Sequence, residues 1–335
     1  MKVSIRQLSK VTGFSPATIS NVLNKKKGVN KETAKIILKA AADAGYINDS
    51  KITSIRLVIF RKHGKVVGDT PFFSSLIAGI ENECRNNGYD TVICHLDQYA
   101  DNFASLMQEI LEDRTTANLV LATELNEEDI IPFRNTACPV VMVDCWFESM
   151  NFDCVLIDNT DSVCNAANYL IQKGHRKIGY LKSNTPIQNF IYREIGYRRA
   201  LLRAELEINP DHTVELSPSM DGSYRDMNEY LDHHSDLPTA FCADNDNIAL
   251  GACKALQEHG YKIPEDVSVI GFDDMPFCEI STPALTTIRV FKEEMGAMAV
   301  KRLVDLIKNN STSKVKMQIC TEFIERESVK CLDHE

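Results

Sequence analysis

The chain has no uninterrupted apolar stretch of membrane-spanning length, and its opening Met1-Lys2-Val3-Ser4 carries no apolar signal-peptide run. A cytoplasmic protein with no membrane partner is the expectation. No Cys-x-x-Cys pair occurs among eleven scattered cysteines, which removes the usual zinc and dithiol spacings. Several lie in apolar runs (Cys94, Cys242) and read as buried free thiols in a reducing compartment. Gly-x-Gly-x-x-Gly, a Walker loop, Gly-x-Ser-x-Gly and His-Glu-x-x-His are all missing. The chain is therefore not expected to be an enzyme, and neither a cofactor nor a metal is expected. The pair His233-His234 reads as exposed loop. Tryptophan occurs once, at Trp146, and positive charge is in deficit, with a net −10 over 335 residues.

That deficit is uneven. Residues 1–50 hold nine Lys or Arg (2, 6, 10, 25, 26, 27, 31, 35 and 39) against three acids (Glu32, Asp43, Asp49), a balance of +6, so the remaining 285 residues carry −16. A basic head on an acidic body suits a protein whose head alone meets phosphate. The alternative for the head alone is a solvated basic three-helix bundle with a protein partner.

The head has the punctuation of a helix-turn-helix. Ser4 to Gln7 has capping-box spacing, and Ile5, Leu8 and Val11 repeat every third residue as one buried face. Gly13-Phe14 makes the turn. Ser15 caps a second helix with Pro16 at its first position, where a missing N–H is harmless. Ile19, Val22 and Leu23 turn that helix inward, leaving Pro16, Ala17, Ser20 and Asn21 to meet base edges. Asn30 caps a third helix over Lys31–Ala44, ended by Gly45.

From Ile55 the periodicity changes. Ile55–Phe60, Thr91–Cys94, Leu119–Ala122, Val140–Val143, Ile178–Leu181, Thr239–Ala243 and Val267–Phe272 read as strands. Helices Phe73–Asn87, Phe103–Leu111, Ser162–Lys173, Arg193–Ala204 and Ile248–His259 alternate with them. This is an α/β series, and its two similar halves imply two lobes, each an open parallel sheet flanked by helices. In such sheets a ligand sits where strand carboxyl ends face a crevice, so Asp144, Asn245 and Asp273, just past their strands, are the first candidates for contact.

Ordered segments along almost the whole chain resemble the lactose-repressor (LacI) family of transcription regulators. In the head these are Ser15 to Asn24, Gly28-Val29 and Ala44-Gly45-Tyr46. In the body they are Pro71-Phe72-Phe73 with Gly79-Ile80-Glu81, Asp158-Asn159, Gly174 to Leu181, Arg193 to Tyr197, Asn245-Asp246, Pro264 to Asp274 and Leu285 to Arg289. The resemblance implies a homodimer on a pseudo-palindromic double-stranded operator, with a recognition helix of each subunit in a major groove. It implies a periplasmic-binding-protein-like body that takes a small-molecule effector between its lobes. The expected boundaries are a head at 1–47, a linker at 48–54 and a body at 55–335, with lobe one at about 55–156 and 288–318 and lobe two at about 158–286 and 321–335. Ser4, Ser15, Asn24, Asn30 and Thr33 would touch phosphates. Phe72 and Phe73 would line the cleft, Arg193 would be its fork donor, and Trp146 would stack on ligand or pack beside it. Asp158 and Asn159 would organise the crossing between lobes. A sugar is the expected effector, since aromatic faces beside Asp, Asn and Arg suit polyols.

Two departures stand out. Asn21 occupies a position where the family usually has arginine, and asparagine favours adenine where arginine favours guanine. The family's hinge helix, whose leucine wedges into the minor groove, has no counterpart in the short run from Tyr46 to Ser54, where Ile52 is the nearest substitute. Coupling is then expected through the spacing of the two heads. The expected function is an effector-responsive repressor. Competing classes are an enzyme with a DNA-binding head, using Asp144, Asp158 and Asp273, and a regulator controlled by a protein partner or a purine-like ligand.

Overall fold

The computed structural model describes residues 4–23, 29–43, 52–68, 71–309 and 311–332. The head is α1 (Ile5–Thr12), α2 (Pro16–Leu23) and α3 (Lys31–Asp43). Ser4 Oγ accepts the Gln7 N–H at 3.3 Å while Gln7 Oε1 accepts the Ser4 N–H at 2.7 Å, closing the capping box. Gly13, at φ 73°, ends α1 in the left-handed conformation that glycine adopts without penalty. Ser15 Oγ accepts the Thr18 N–H at 3.1 Å and starts α2, and Asn30 Oδ1 accepts the Glu32 N–H at 2.9 Å before α3. Leu8, Ile19, Val22, Ile37 and Ala41 form the core between the three. Val11, expected on the buried face, is 74% exposed. Three-residue spacing falls about 60° short of a full turn at each step, so Val11 has rotated away from Ile5. Asn24, the end of α3 at Ala44-Gly45 and linker residues 48–51 lie outside the described residues. Ile52 is half-buried against the core of the body, not held out as a wedge.

The body continues through β1 (Ser54–Arg61), α4 (Pro71–Asn86), β2 (Asp90–Asp97), α5 (Phe103–Glu112), β3 (Thr116–Leu121), α6 (Glu127–Ile130), β4 (Val140–Val143) and β5 (Asp153–Ile157). It then runs through α7 (Asn159–Gln172), β6 (Ile178–Ser183), α8 (Gln188–Arg203), β7 (Thr213–Leu216), α9 (Met220–His233), β8 (Ala240–Ala243), α10 (Asp246–Glu258), β9 (Ser268–Ile270) and α11 (Phe277–Ile280). Last come β10 (Thr287–Arg289), α12 (Lys292–Asn309), β11 (Lys316–Ile319) and β12 (Glu322–Ile324).

Two parallel sheets result, in the orders β11-β5-β4-β3-β1-β2 and β7-β6-β8-β9. The inner residues of β1 and all of β3 to β5 are buried, as parallel strands covered on both faces must be, whereas β2 is an exposed edge. The chain leaves the first sheet after β5 and comes back to it through α12, which packs on α4, and β11, which pairs with β5. The antiparallel ribbon β10–β12 carries the return strands. The final segment docks on the second sheet, where Ser328 O accepts the Val269 N–H at 2.9 Å. Elements β5, α6, β7, α9, α11, β10, α12, β11 and β12 were not expected from periodicity. His233, expected in a loop, closes α9, and His234 stacks on Tyr230 at 4.2 Å. None of the eleven cysteines is in a disulfide; Cys242 is buried and Cys94 half-buried.

Candidate functional site

The carboxyl ends of β3, β4, β8 and β9 open onto one cavity of about 470 Å³, mouth included. Six of the expected contact residues line it: Phe72, Phe73, Asp144, Arg193, Asn245 and Asp273. Trp146 is not on its wall. The indole packs beside Tyr192, with centroids 5.6 Å apart, under Lys316 Nζ at 4.7 Å.

α8 shows how one helix face supplies both core and site. Asn189, Arg193, Gly196, Tyr197, Ala200 and Leu201 are all buried and recur at helical spacing. The polar pair falls at the helix start, beside the cavity, and the apolar remainder packs inside lobe two. Arg193 lies flat on Phe272, with Cζ 3.6 Å from the ring centroid. Its Nε donates to Asn159 Oδ1 at 2.8 Å and its Nη1 to the Asp244 carbonyl. Most of the fork expected to face ligand is therefore held inside the protein. The third nitrogen, Nη2, stands 3.6 Å from Asp273 Oδ1. That oxygen is buried and has no hydrogen-bond partner.

Asp144 faces this pair from lobe one. Its Oδ2 accepts from Thr123 Oγ1 at 2.6 Å and its Oδ1 from Asn189 Nδ2 at 2.9 Å. Burial pushes its carboxyl up to about 6, with Thr123, Arg193 and Asn189 pulling the other way. Burial likewise raises Asp273 against the pull of Arg193 and Lys292. Behind the wall, burial lifts Asp244 and Asp246 to about 7. Asp144 and Asp273 sit at φ 62° and 114°, sparsely populated backbone that non-glycine residues adopt where surroundings enforce it. Asn245, which also lines the cavity, uses its Oδ1 to cap α10 through the Ile248 N–H at 2.9 Å.

Thr123, Asn189 and Asn159 were missed by the sequence reading. Thr123 carries the same signal as Asp144, a polar residue just past a strand. Asn189 lies four residues before Arg193, one helical turn away on the same face. Asn159 was assigned to the lobe crossing; it also steadies Arg193 and gives its Nδ2 to Asn189 Oδ1 at 3.2 Å. Asp158 caps α7 through the Asp161 N–H.

In the head, Ser15, Pro16, Ala17 and Asn21 are exposed along α2 and Ser20 is half-buried. Ser4 and Asn30 are exposed caps and Thr33 is half-buried.

A basic helical head on a two-lobed, periplasmic-binding-protein-like body defines a ligand-responsive DNA-binding regulator. A profile of the periplasmic binding protein-like domain matches residues 167–329. The chain is 30% identical over 336 residues to the HTH-type transcriptional repressor PurR of Haemophilus influenzae, covering 98% of this chain and 99% of that protein. A transcriptional regulator CelR–cellobiose complex has the same fold, with a TM-score of 0.75 over 98% of this chain and all of the other at 24% identity. A LacI family regulator from Enterococcus faecium, solved with bound ribose, gives 0.70 at 25% identity over 83% of this chain and all of the other. The chain belongs to the LacI family of transcription regulators. It is a DNA-binding transcriptional repressor modulated by a small-molecule effector. The sugar class expected from the sequence gains no support from the repressor relatives. Those relatives are repressors, not enzymes, and no helix among the described residues is long and apolar enough to cross a membrane.

Proposed function

We propose that the interlobe cavity takes a compact ring bearing a hydrogen-bond acceptor beside a donor, and that its occupancy sets the affinity of paired heads for operator DNA in the cytoplasm. The observation that carries this is the buried Asp273 Oδ1 on the cavity wall, which has no hydrogen bond although it forms a 3.6 Å ion pair with the Arg193 guanidinium. A buried acceptor without a hydrogen bond is costly, and a ligand N–H or O–H placed there relieves it. Arg193 Nη2 then donates to the neighbouring ligand oxygen. The lactam edge of an oxopurine offers this pair, C=O beside N–H, on a flat ring that Phe72 and Phe73 can cover. A pentose offers it as a vicinal diol; that second reading is favoured by the ribose held in the Enterococcus faecium neighbour.

The repressor works as a homodimer in this reading. Apolar side chains stand exposed on both lobes, Val92 and Ile93 on edge strand β2, Phe277 and Ile280 at α11, as a symmetric partner surface requires. Pro16, Ala17, Ser20 and Asn21 face the major groove, while Ser4, Ser15, Asn24, Asn30 and Thr33 fix the register on phosphates. The test is a thermal-shift series with hypoxanthine, guanine and D-ribose on the full chain. One class raises the melting temperature by mass action, and Asp273→Ala, which removes the acceptor, abolishes the shift. A shift that survives Asp273→Ala, or none with any of the three, refutes the reading.

A further inference from the structure

Glu124, the residue after Thr123, has a side chain with no solvent exposure and no part in lining the cavity. Its carboxylate is wrapped by the loop that follows β1. Oε2 accepts the N–H groups of Lys62 at 3.0 Å, His63 at 3.0 Å and Gly64 at 2.8 Å. Oε1 accepts those of Val66 at 2.9 Å and Val67 at 2.8 Å, with His63 Nδ1 3.2 Å away. Gly64, at φ 65°, supplies the left-handed residue that lets these amides converge on one point. The hydrogen bonds from Val67, His63, Val66 and Gly64 outweigh burial and hold the carboxyl below its usual range.

We propose that Glu124 is a positioning residue for effector binding, its carboxylate serving as the template that folds Lys62–Val67 so that Val66 forms part of the cavity wall. The proposal rests on the cavity being the effector site. Two facts set Glu124 apart from a mere loop anchor. Val66, the loop residue whose N–H it holds, lines the cavity. Its neighbour Thr123 holds Asp144 on the same wall, so one dipeptide fixes both loop and carboxylate. Only a carboxylate meets the demand. Glutamine has one acceptor oxygen, and in either orientation its NH2 would face backbone N–H groups, two of them on one side or three on the other.

The experiment compares wild type with Glu124→Gln, both as the full chain. Amide hydrogen exchange of Lys62–Val67 should speed up by about tenfold or more, with exchange in β1, β3 and the head unchanged, since charge-assisted hydrogen bonds of this kind are the strong ones. Calorimetric affinity for hypoxanthine or D-ribose, whichever the wild type binds, should fall by about tenfold or more with that loop. Unchanged loop exchange overturns the proposal, and so does a loosened loop with unchanged affinity. A wild type that binds neither probe refutes the effector reading of the cavity instead, and the exchange comparison still decides whether Glu124 orders the loop. If Glu124→Gln does not fold, Gly64→Ala strains the same loop at positive φ while leaving the carboxylate in place, and the same two readouts apply.

Discussion

Asn189 Nδ2 donates to Asp144 Oδ1 at 2.9 Å and to the Asp144 carbonyl at 3.2 Å, and this is a bond between the lobes. Asp144 ends β4 in the first sheet, while Asn189 opens α8 beside the second. Asn189 Oδ1 in turn accepts from Asn159, which accepts from Arg193, which faces Asp273. One connected polar line therefore runs from Thr123 across the cleft to the Asp273 oxygen that lacks a hydrogen bond. A ligand that engages the Arg193–Asp273 end meets groups already tied to the facing lobe, which is the differential contact a closure equilibrium needs.

Asn189→Ala should loosen that line. It strips Asp144 Oδ1 of its donor inside a buried site, and a buried acceptor left unmet costs about 1–3 kcal/mol. The expected outcome is a lower melting temperature together with a larger radius of gyration in small-angle scattering, as the lobes part. A variant that melts and scatters as the wild type does would show that the lobes are held elsewhere.

The acidity of Asp144 makes a pH prediction with a definite sign. Its folded value of about 6 lies above the ordinary 3.8, so between these values the folded protein binds more protons than the unfolded chain. The stability this contributes is full below about 4 and is lost as pH rises through about 6; Asp244 and Asp246 extend the same trend to about 7. Asp144→Asn removes one ionisation while keeping a side chain that can accept from Asn189. Its stability relative to wild type should rise by roughly 3 kcal/mol between pH 4 and pH 7, the worth of about two pKa steps. Urea unfolding at several pH values checks this, and a constant difference would contradict it.

The sequence alone carried most of this fold where apolar residues repeat strongly. β4 spans Val140–Val143 as expected, and α5 and β6 start where expected. Of the helices that escaped, α9 buries little apolar side chain beyond Met227 and Leu231. It meets α10 through small residues: a Cβ on Gly251 would lie 2.0 Å from Ser223 Oγ. Close packing of small residues leaves no apolar stripe for periodicity to find. The site divided in the same way. Asp144, Asn245 and Asp273 were legible because strand ends point to a crevice. The internal engagement of Arg193 was not, because Phe272, Asn159 and Asp244 reach it only through the tertiary fold.

The crossing of α4 and α12 also rests on small residues. A Cβ at Gly79 would lie 2.1 Å from the Glu293 carbonyl oxygen, and one at Gly296 would lie 2.5 Å from that of Leu76. Backbone cannot yield there as a side-chain tip can. Gly79→Ala should therefore destabilise lobe one by about 2–3 kcal/mol despite alanine's better helix propensity. Gly68→Ala, with no atom within 4 Å of its added methyl and no positive φ, should stay within about 0.5 kcal/mol of wild type. Equal midpoints for the two variants in urea would refute the packing argument.

Asn21, through its proposed base contact, would give the head its own specificity. It is exposed on α2, four residues past exposed Ala17 and so on the same helical face. Asparagine pairs in two-point fashion with adenine N6 and N7, arginine with guanine O6 and N7, each worth about 1–3 kcal/mol of discrimination. Asn21→Arg should therefore switch the preferred base at one position of each half-site from adenine to guanine by roughly tenfold or more. In the proposed homodimer two heads read the operator, so the switch should appear at two symmetric positions, with the salt dependence steepened by the added cation. Binding selections from a randomised duplex pool, run on both proteins at fixed salt, check it. An unchanged consensus would place Asn21 away from the bases, and a change at one half-site alone would argue against two symmetric readers.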